Sequence, residues 1–323
     1  MKKLKQLKNK KFIVNDLESL QKEFYKTYNP DYWLYKISLL KNCHDNFDHA
    51  KEVVTKDLAN VVDVIDEDYK RTLRTELHFL YFQMVETLFE IIFAVSKHDN
   101  RHLWLALTFS NDRQCGFYSD TYEQIKQLSD TSYLFTSKIK TAIAGKDIEI
   151  MLLRWIFYFV YPSKMDDDEW KNNLDKIKRL LLLFAKDFSD RGEYNAYKHS
   201  LRFYNSSFSM SIGLTGSKNM YTLGASGNSI TYLEEQKKKE QDGQYKSTGH
   251  SHILRTTKPF DFERDYTCCR VIYEMIKNII NTRKHSLLPE LNGKEFQFST
   301  FVDIDIQKVA IPKTGIIKSS FTV

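Results

Sequence analysis

The run "LHFLYFQMVETLFEIIFAV", Leu77 to Val95, constrains this chain more than any other. It is apolar almost all round a helix, so it belongs in a core. Yet Glu76, Gln83, Glu86 and Glu90 fall within about 80° of one another at 100° per residue. An ionised carboxylate left unpaired in a core is heavily penalised, so a cationic or donor-rich surface must face this stripe. Glu86 and Glu90 here, with Glu149 and Arg154 in "IEIMLLRWIFYFVY", also interrupt the two most apolar windows. Neither window supplies the roughly 18 uncharged residues of a spanning helix, and both read as buried helices of a soluble protein with no membrane partner.

Helical periodicity continues through most of the first two hundred residues. Candidate helices cover about 15–27, 32–57, 67–97, 118–143, 147–160, 167–188 and 190–204. After Asn205 the period changes to two: Phe208, Met210 and Ile212 alternate with serines, as in a half-buried strand. "SITYLEEQKKKEQ" and "QYKSTGHSHILRTT" flank Asp242-Gly243 as a hairpin would. A helix from about 262 to 285 follows, and "EFQFSTFVDIDIQKV" and "GIIKSSFTV" read as two further strands. The expected fold is therefore α+β and predominantly α-helical: a multi-helix bundle over 1–204, then a β-rich region over 205–323 with one long helix. A chain of 323 residues is long enough for two such regions.

The formal net charge is +6, and "MKKLKQLKNKK" at the N-terminus carries six lysines. The remainder is near neutral, which excludes a strongly basic nucleic-acid binder but leaves room for a local basic site. Acidic residues follow that arm within a few positions and no apolar segment does, so no export signal is read. The four cysteines form no CxxC pair, which fits a reducing, cytoplasmic setting.

Chemistry concentrates in "RGEYNAYKHSLRFYN", Arg191 to Asn205. On an ideal helix Arg191, Asn195, Lys198, His199 and Arg202 share an arc of about 100°, while Tyr194, Tyr197, Leu201 and Tyr204 occupy another face. The polar arc holds no Glu or Asp, unlike an ordinary solvated face, and is the best partner in the chain for the glutamate stripe. No GxGxxG, P-loop or GxSxG occurs and no cofactor is expected. The glycines of "TLGASGNS" (222–229) read as a turn between strands. "CHDNFDH" (43–49), "HDNRH" (98–102) and "HSH" (250–252) lack the spacing of a recognised metal site, so no metal is expected.

A late helix bearing Arg, Asn and His opposite a carboxylate on an earlier one resembles the HEPN superfamily of helical nucleotide-binding domains. Many of its members are metal-independent ribonucleases with an Arg, four to six residues, then a His. Seven residues separate Arg191 from His199 here. The resemblance covers the helical region and implies His199 as general acid or base on the 2′-hydroxyl. It further implies Arg191 or Arg202 stabilising phosphorane-like charge, Asn195 within the motif, and Glu76 or Glu90 orienting a partner, with a dimer interface often forming the site. Arg71 and His78 match the spacing more closely. About one such match arises by chance, and His78 projects away from the glutamate stripe.

Two functions of different kinds fit this pattern. One is a HEPN-like protein that binds or cleaves RNA, in a defence role. The other is a non-catalytic protein that engages a protein partner and whose buried ionic cluster is structural.

Overall fold

The computed structural model describes residues 14–58, 65–97, 103–110, 121–143, 146–159, 165–199, 202–212, 223–235, 237–239, 245–247, 252–291, 297–310 and 316–322. The Asp242-Gly243 turn, His98, His102 and His250 lie outside them. The fold is α+β and predominantly helical. Its helices are α1 (Val14–Thr27), α2 (Asp31–Asp45), α3 (Phe47–Leu58), α4 (Asp66–Lys97), α5 (Leu103–Ser110), α6 (Thr121–Lys126), α7 (Tyr133–Thr136), α8 (Leu152–Tyr158), α9 (Asp167–Ser189), α10 (Gly192–Lys198), α11 (Phe262–Leu287) and α12 (Ile306–Val309). The strands are β1 (Lys138–Ile143), β2 (Lys146–Met151), β3 (Phe203–Ile212), β4 (Leu223–Glu235), β5 (Lys237–Lys239), β6 (Tyr245–Ser247), β7 (His252–Phe260) and β8 (Ile317–Thr322).

Two compact units are each assembled from separated stretches of chain. The first takes 1–35, 83–190 and 270–307; the second takes 36–82, 191–269 and 308–323. Residues on both sides of position 204 thus belong to the second unit. Helices α4 and α11 each contribute one end to either unit. By length and composition α4 could cross a membrane, but most of its apolar window is buried.

In the first unit, Met84, Leu88, Phe89 and Ile92 of α4, Ile177, Leu180, Leu181 and Phe184 of α9, and Ile276, Ile279 and Ile280 of α11 are fully buried. Helix α9 starts where "MDDDEW" provides a reciprocal cap. Asp166 Oδ1 accepts from Glu169 N at 2.8 Å and Glu169 Oε2 accepts from Asp166 N at 3.0 Å.

Two stretches of this unit correct the sequence reading. The stretches expected as helices over 118–143 and 147–160 contain a hairpin, with Lys138 opposite Met151 and Ile143 opposite Lys146. Ile139, Thr141, Ile143, Ile148 and Ile150 alternate with mainly charged residues, and β-branched residues at period two favour a strand. The strand expected in "EFQFSTFVDIDIQKV" is absent from its described part, which is irregular over 297–305 and helical over Ile306–Val309. Side-chain amides occupy its backbone instead. Asn278 Oδ1 accepts from Ser299 N at 2.9 Å, Asn173 Oδ1 accepts from Phe301 N at 2.8 Å, and Ser299 O accepts from Asn278 Nδ2 at 2.7 Å.

In the second unit the strand order is β3-β4-β7-β8, antiparallel throughout. Ile230, Tyr232, Thr256 and Lys258 are buried, whereas Tyr204 and Leu233 are exposed. The anticipated hairpin is seen as the β4–β7 pair with β5–β6 beyond it. The "LGASGNS" expected as a turn is instead part of β4 and pairs with β3. Strand β3 also begins earlier than expected, and the helix expected over 190–204 is only Gly192–Lys198. A ten-residue ladder, from Phe203 opposite Tyr232 to Ile212 opposite Leu223, outweighs the helical preference of residues 203 and 204.

Gly192 is required by a close approach. A Cβ there would come within 2.8 Å of Tyr232 Cζ and overlap its hydroxyl, and Tyr232 is buried. Gly192→Ala is expected to lower stability by about 1–3 kcal/mol, as overpacking does. Urea unfolding measures it, and adding Tyr232→Phe should recover part of the loss.

Candidate functional site

Helix α10 packs on α4 through aromatic rings: Tyr197 stacks on Phe79 at 4.1 Å and Tyr194 on Phe82 at 5.5 Å between centroids. Glu76 meets α10 here as well, its Oε2 accepting from the Tyr197 hydroxyl at 3.4 Å. Burial raises the Glu76 pKa, against the pull of the Tyr197 bond and the Lys36 charge. The α10 surface that meets Glu76 is therefore phenolic. Tyr197 lies about 160° round the helix from both Asn195 and His199, so Glu76 is on the far side of α10 from them.

Asn195, His199 and Arg202 come together at the exposed C-terminal end of α10. His199 N–H donates to Asn195 O at 3.1 Å and is the last link of the helix, with φ −108° and ψ 69°. Arg202 N–H returns to Ala196 O at 2.9 Å, and Arg202 Nε donates to His199 O at 2.9 Å. Arg191 precedes the first turn and is half-buried. Glu86 and Glu90 are half-buried on the part of α4 that belongs to the first unit.

The buried polar cluster of the second unit has other members. His78, 5% exposed, projects from α4 with Nδ1 2.6 Å from Asp265 Oδ2 and Nε2 4.0 Å from Glu193 Oε1. Lys258 of β7 donates to Glu193 Oε2 at 2.8 Å, both groups being almost fully buried. Arg264 NH1 stands 3.4 Å from Asp265 Oδ1, and its Nε donates to Val309 O at 2.8 Å. Phe260 stacks on the imidazole at 4.6 Å and Phe82 meets it edge-on at 5.1 Å. Both carboxylates belong to first turns, Glu193 of α10 and Asp265 of α11, where the helix dipole favours negative charge. Beside His78 the set holds two carboxylates, Glu193 and Asp265, and two cations, Lys258 and Arg264. Burial pushes the Tyr232 phenol up, while Lys258 5.7 Å from its ring centroid pulls it down. Such a set ties α4, α10, β7 and α11 together. A His in the apolar stretch of α4 was its one signal in the sequence, since a buried polar group requires a partner.

Cys268 and Cys269 are buried free thiols, and burial with nearby Asp265 pushes the Cys269 thiol up, away from reactivity. In the 43–49 stretch, His44 stacks on Phe262 at 4.0 Å and accepts from Arg74 Nε at 3.3 Å. Among the described residues no three His, Cys, Asp or Glu side chains stand together as a metal ligand set. No protein-family model, curated protein or solved structure matches the chain.

Proposed function

We propose that this protein binds RNA at the exposed end of α10 and does not cleave it there. The observation that carries this is the state of Arg202. Its Nε is tied to the His199 carbonyl, so the guanidinium is held at its base while NH1 and NH2 make no hydrogen bond among the described residues. A pre-set fork of this kind suits a phosphate, because little rotamer freedom is left to lose. Asn195, Lys198 and His199 are exposed beside it and bring further hydrogen-bond donors to this end of the helix. Cleavage by general acid and base requires two such groups within reach of one hydroxyl. Glu76, the carboxylate expected to work with His199, is engaged with Tyr197 on the other side of the helix.

The test is fluorescence anisotropy with a labelled mixed-sequence RNA across a salt series, alongside a gel assay of the same RNA in EDTA. The expected result is binding without cleavage. Arg202→Gln should weaken it uniformly across sequences and reduce the salt slope by about 1, as loss of one phosphate contact does. Cleavage that disappears in His199→Ala would restore the ribonuclease reading.

Engagement of a protein partner is favoured by a different observation. Leu20, Trp104 and Leu105 of the first unit are all exposed, and the Trp104 ring is stacked on Phe24 at 5.8 Å. Exposed aromatic and aliphatic side chains of this kind are typical interface anchors.

A further inference from the structure

Resting on the RNA-binding proposal, we infer that the outward face of the four-stranded sheet is a stacking platform for unpaired bases. Its ring is Tyr204, and Arg255 and Arg202 are its cationic flanks. The ligand class is therefore single-stranded RNA.

The ladder puts these residues on one side. Tyr204 of β3 lies opposite Thr231 of β4, and Leu233, two residues on from Thr231 and hence on the same face, lies opposite Arg255 of β7. Tyr204 is 50% exposed and Leu233 59%, yet Thr231 between them is 2% exposed. A side chain must therefore lie over β4, and Arg255 supplies it. Its guanidinium reaches across to the Tyr204 hydroxyl, with its carbon 5.8 Å from the ring centroid. The ring is thus held in place before any ligand arrives, which lowers the entropic cost of using it. Arg202, two residues earlier in the chain, brings the phosphate-binding fork next to it.

Charge and shape select the occupant. Two arginines beside an exposed ring match a phosphate backbone carrying an unstacked base. In a duplex the interior base faces are already stacked on their neighbours, so a ring on a sheet suits a single strand.

The probe is a fluorescein-labelled RNA of about 12 nucleotides, within the usual site size for such surfaces, compared with the same sequence annealed to its complement. The full-length protein should bind the single strand more tightly. Tyr204→Ala should weaken that binding by about 5- to 100-fold, the range for loss of one base–aromatic stack. Tyr204→Phe, which keeps the ring and loses the hydroxyl, should bind within about threefold of the parent protein on the same reasoning. Thermal midpoints of both variants establish that they remain folded. Equal affinity for single strand and duplex, or an unchanged single-strand affinity in Tyr204→Ala, overturns the platform. RNA binding that still falls in Arg202→Gln would then leave the first proposal standing. Absence of RNA binding by the parent protein overturns both.

Discussion

Lys258→Met is expected to destabilise the protein by about 3–5 kcal/mol, the range for breaking one partner of a buried ion pair. The reason is what the substitution leaves behind. Glu193 is 1% exposed and Lys258 donates to it at 2.8 Å, so Met removes the cation from beside a carboxylate that water cannot reach. His78 Nε2 stands 4.0 Å from the other Glu193 oxygen, beyond hydrogen-bond reach, while its Nδ1 is engaged with Asp265. Glu193→Gln alone should also be harmful, because Lys258 then stays buried without its counter-charge. The double variant should be distinctly more stable than the sum of the two losses predicts, since neither charge is left to desolvate. Urea titration reads this as movements of the midpoint at constant slope. A single-variant loss below about 1 kcal/mol, as for a solvent-exposed pair, would show that the pair is hydrated in solution.

Long elements were legible because their periodicity runs over many turns. Helix α4 is read as 67–97 and found as Asp66–Lys97; α9 is read as 167–188 and found as Asp167–Ser189. The failures occur where a short run satisfies two periods. "KIKTAI" and "KDIEIM" carry too few residues to separate 2 from 3.6, and an apolar helix follows directly, so the whole was read as helical. In the segment after Phe298 the alternation truly resembles a strand, but Asn173 and Asn278, distant in sequence, take its N–H groups. Nothing local signals that capture.

The polar groups follow the same logic. The requirement that Glu76 have a partner was readable from its place in an apolar helix. That the partner is the Tyr197 hydroxyl was not, because it depends on which side of α10 turns inward once the helix ends at Lys198. Lys258 gave still less warning. A lysine in "LRTTKPF" looks like an edge-strand charge, and only the register that puts it opposite buried Ile230 of β4 sets it on the inward face.

Arg283→Met is the second large effect, expected to cost about 2–4 kcal/mol through the loss of buried hydrogen bonds from a charged donor. Arg283 is fully buried in the first unit and donates to Ile156 O at 2.6 Å, Trp155 O at 3.1 Å and Ile279 O at 3.0 Å. Ile156 and Trp155 belong to the seven-residue α8; Trp155 O also accepts from Phe159 N at 3.0 Å, and the guanidinium adds a second donor at this helix end. The guanidinium therefore caps that helix from α11, with Trp155 and Phe159 rings each 5.3 Å away. Phe159, just past the helix, has φ 50°, an uncommon conformation for a bulky residue that the cap helps to hold. Burial lowers the Arg283 pKa to about 10 and raises that of neighbouring Tyr25 to about 12, so at neutral pH the arginine is charged and the phenol is not. Arg283→Lys distinguishes the two contributions. An ammonium retains the charge but cannot fork to both carbonyls or lie flat between rings. A loss in Lys as large as in Met, read from thermal and urea midpoints, assigns the stability to the planar fork; a Lys variant close to the parent protein would assign it to charge alone.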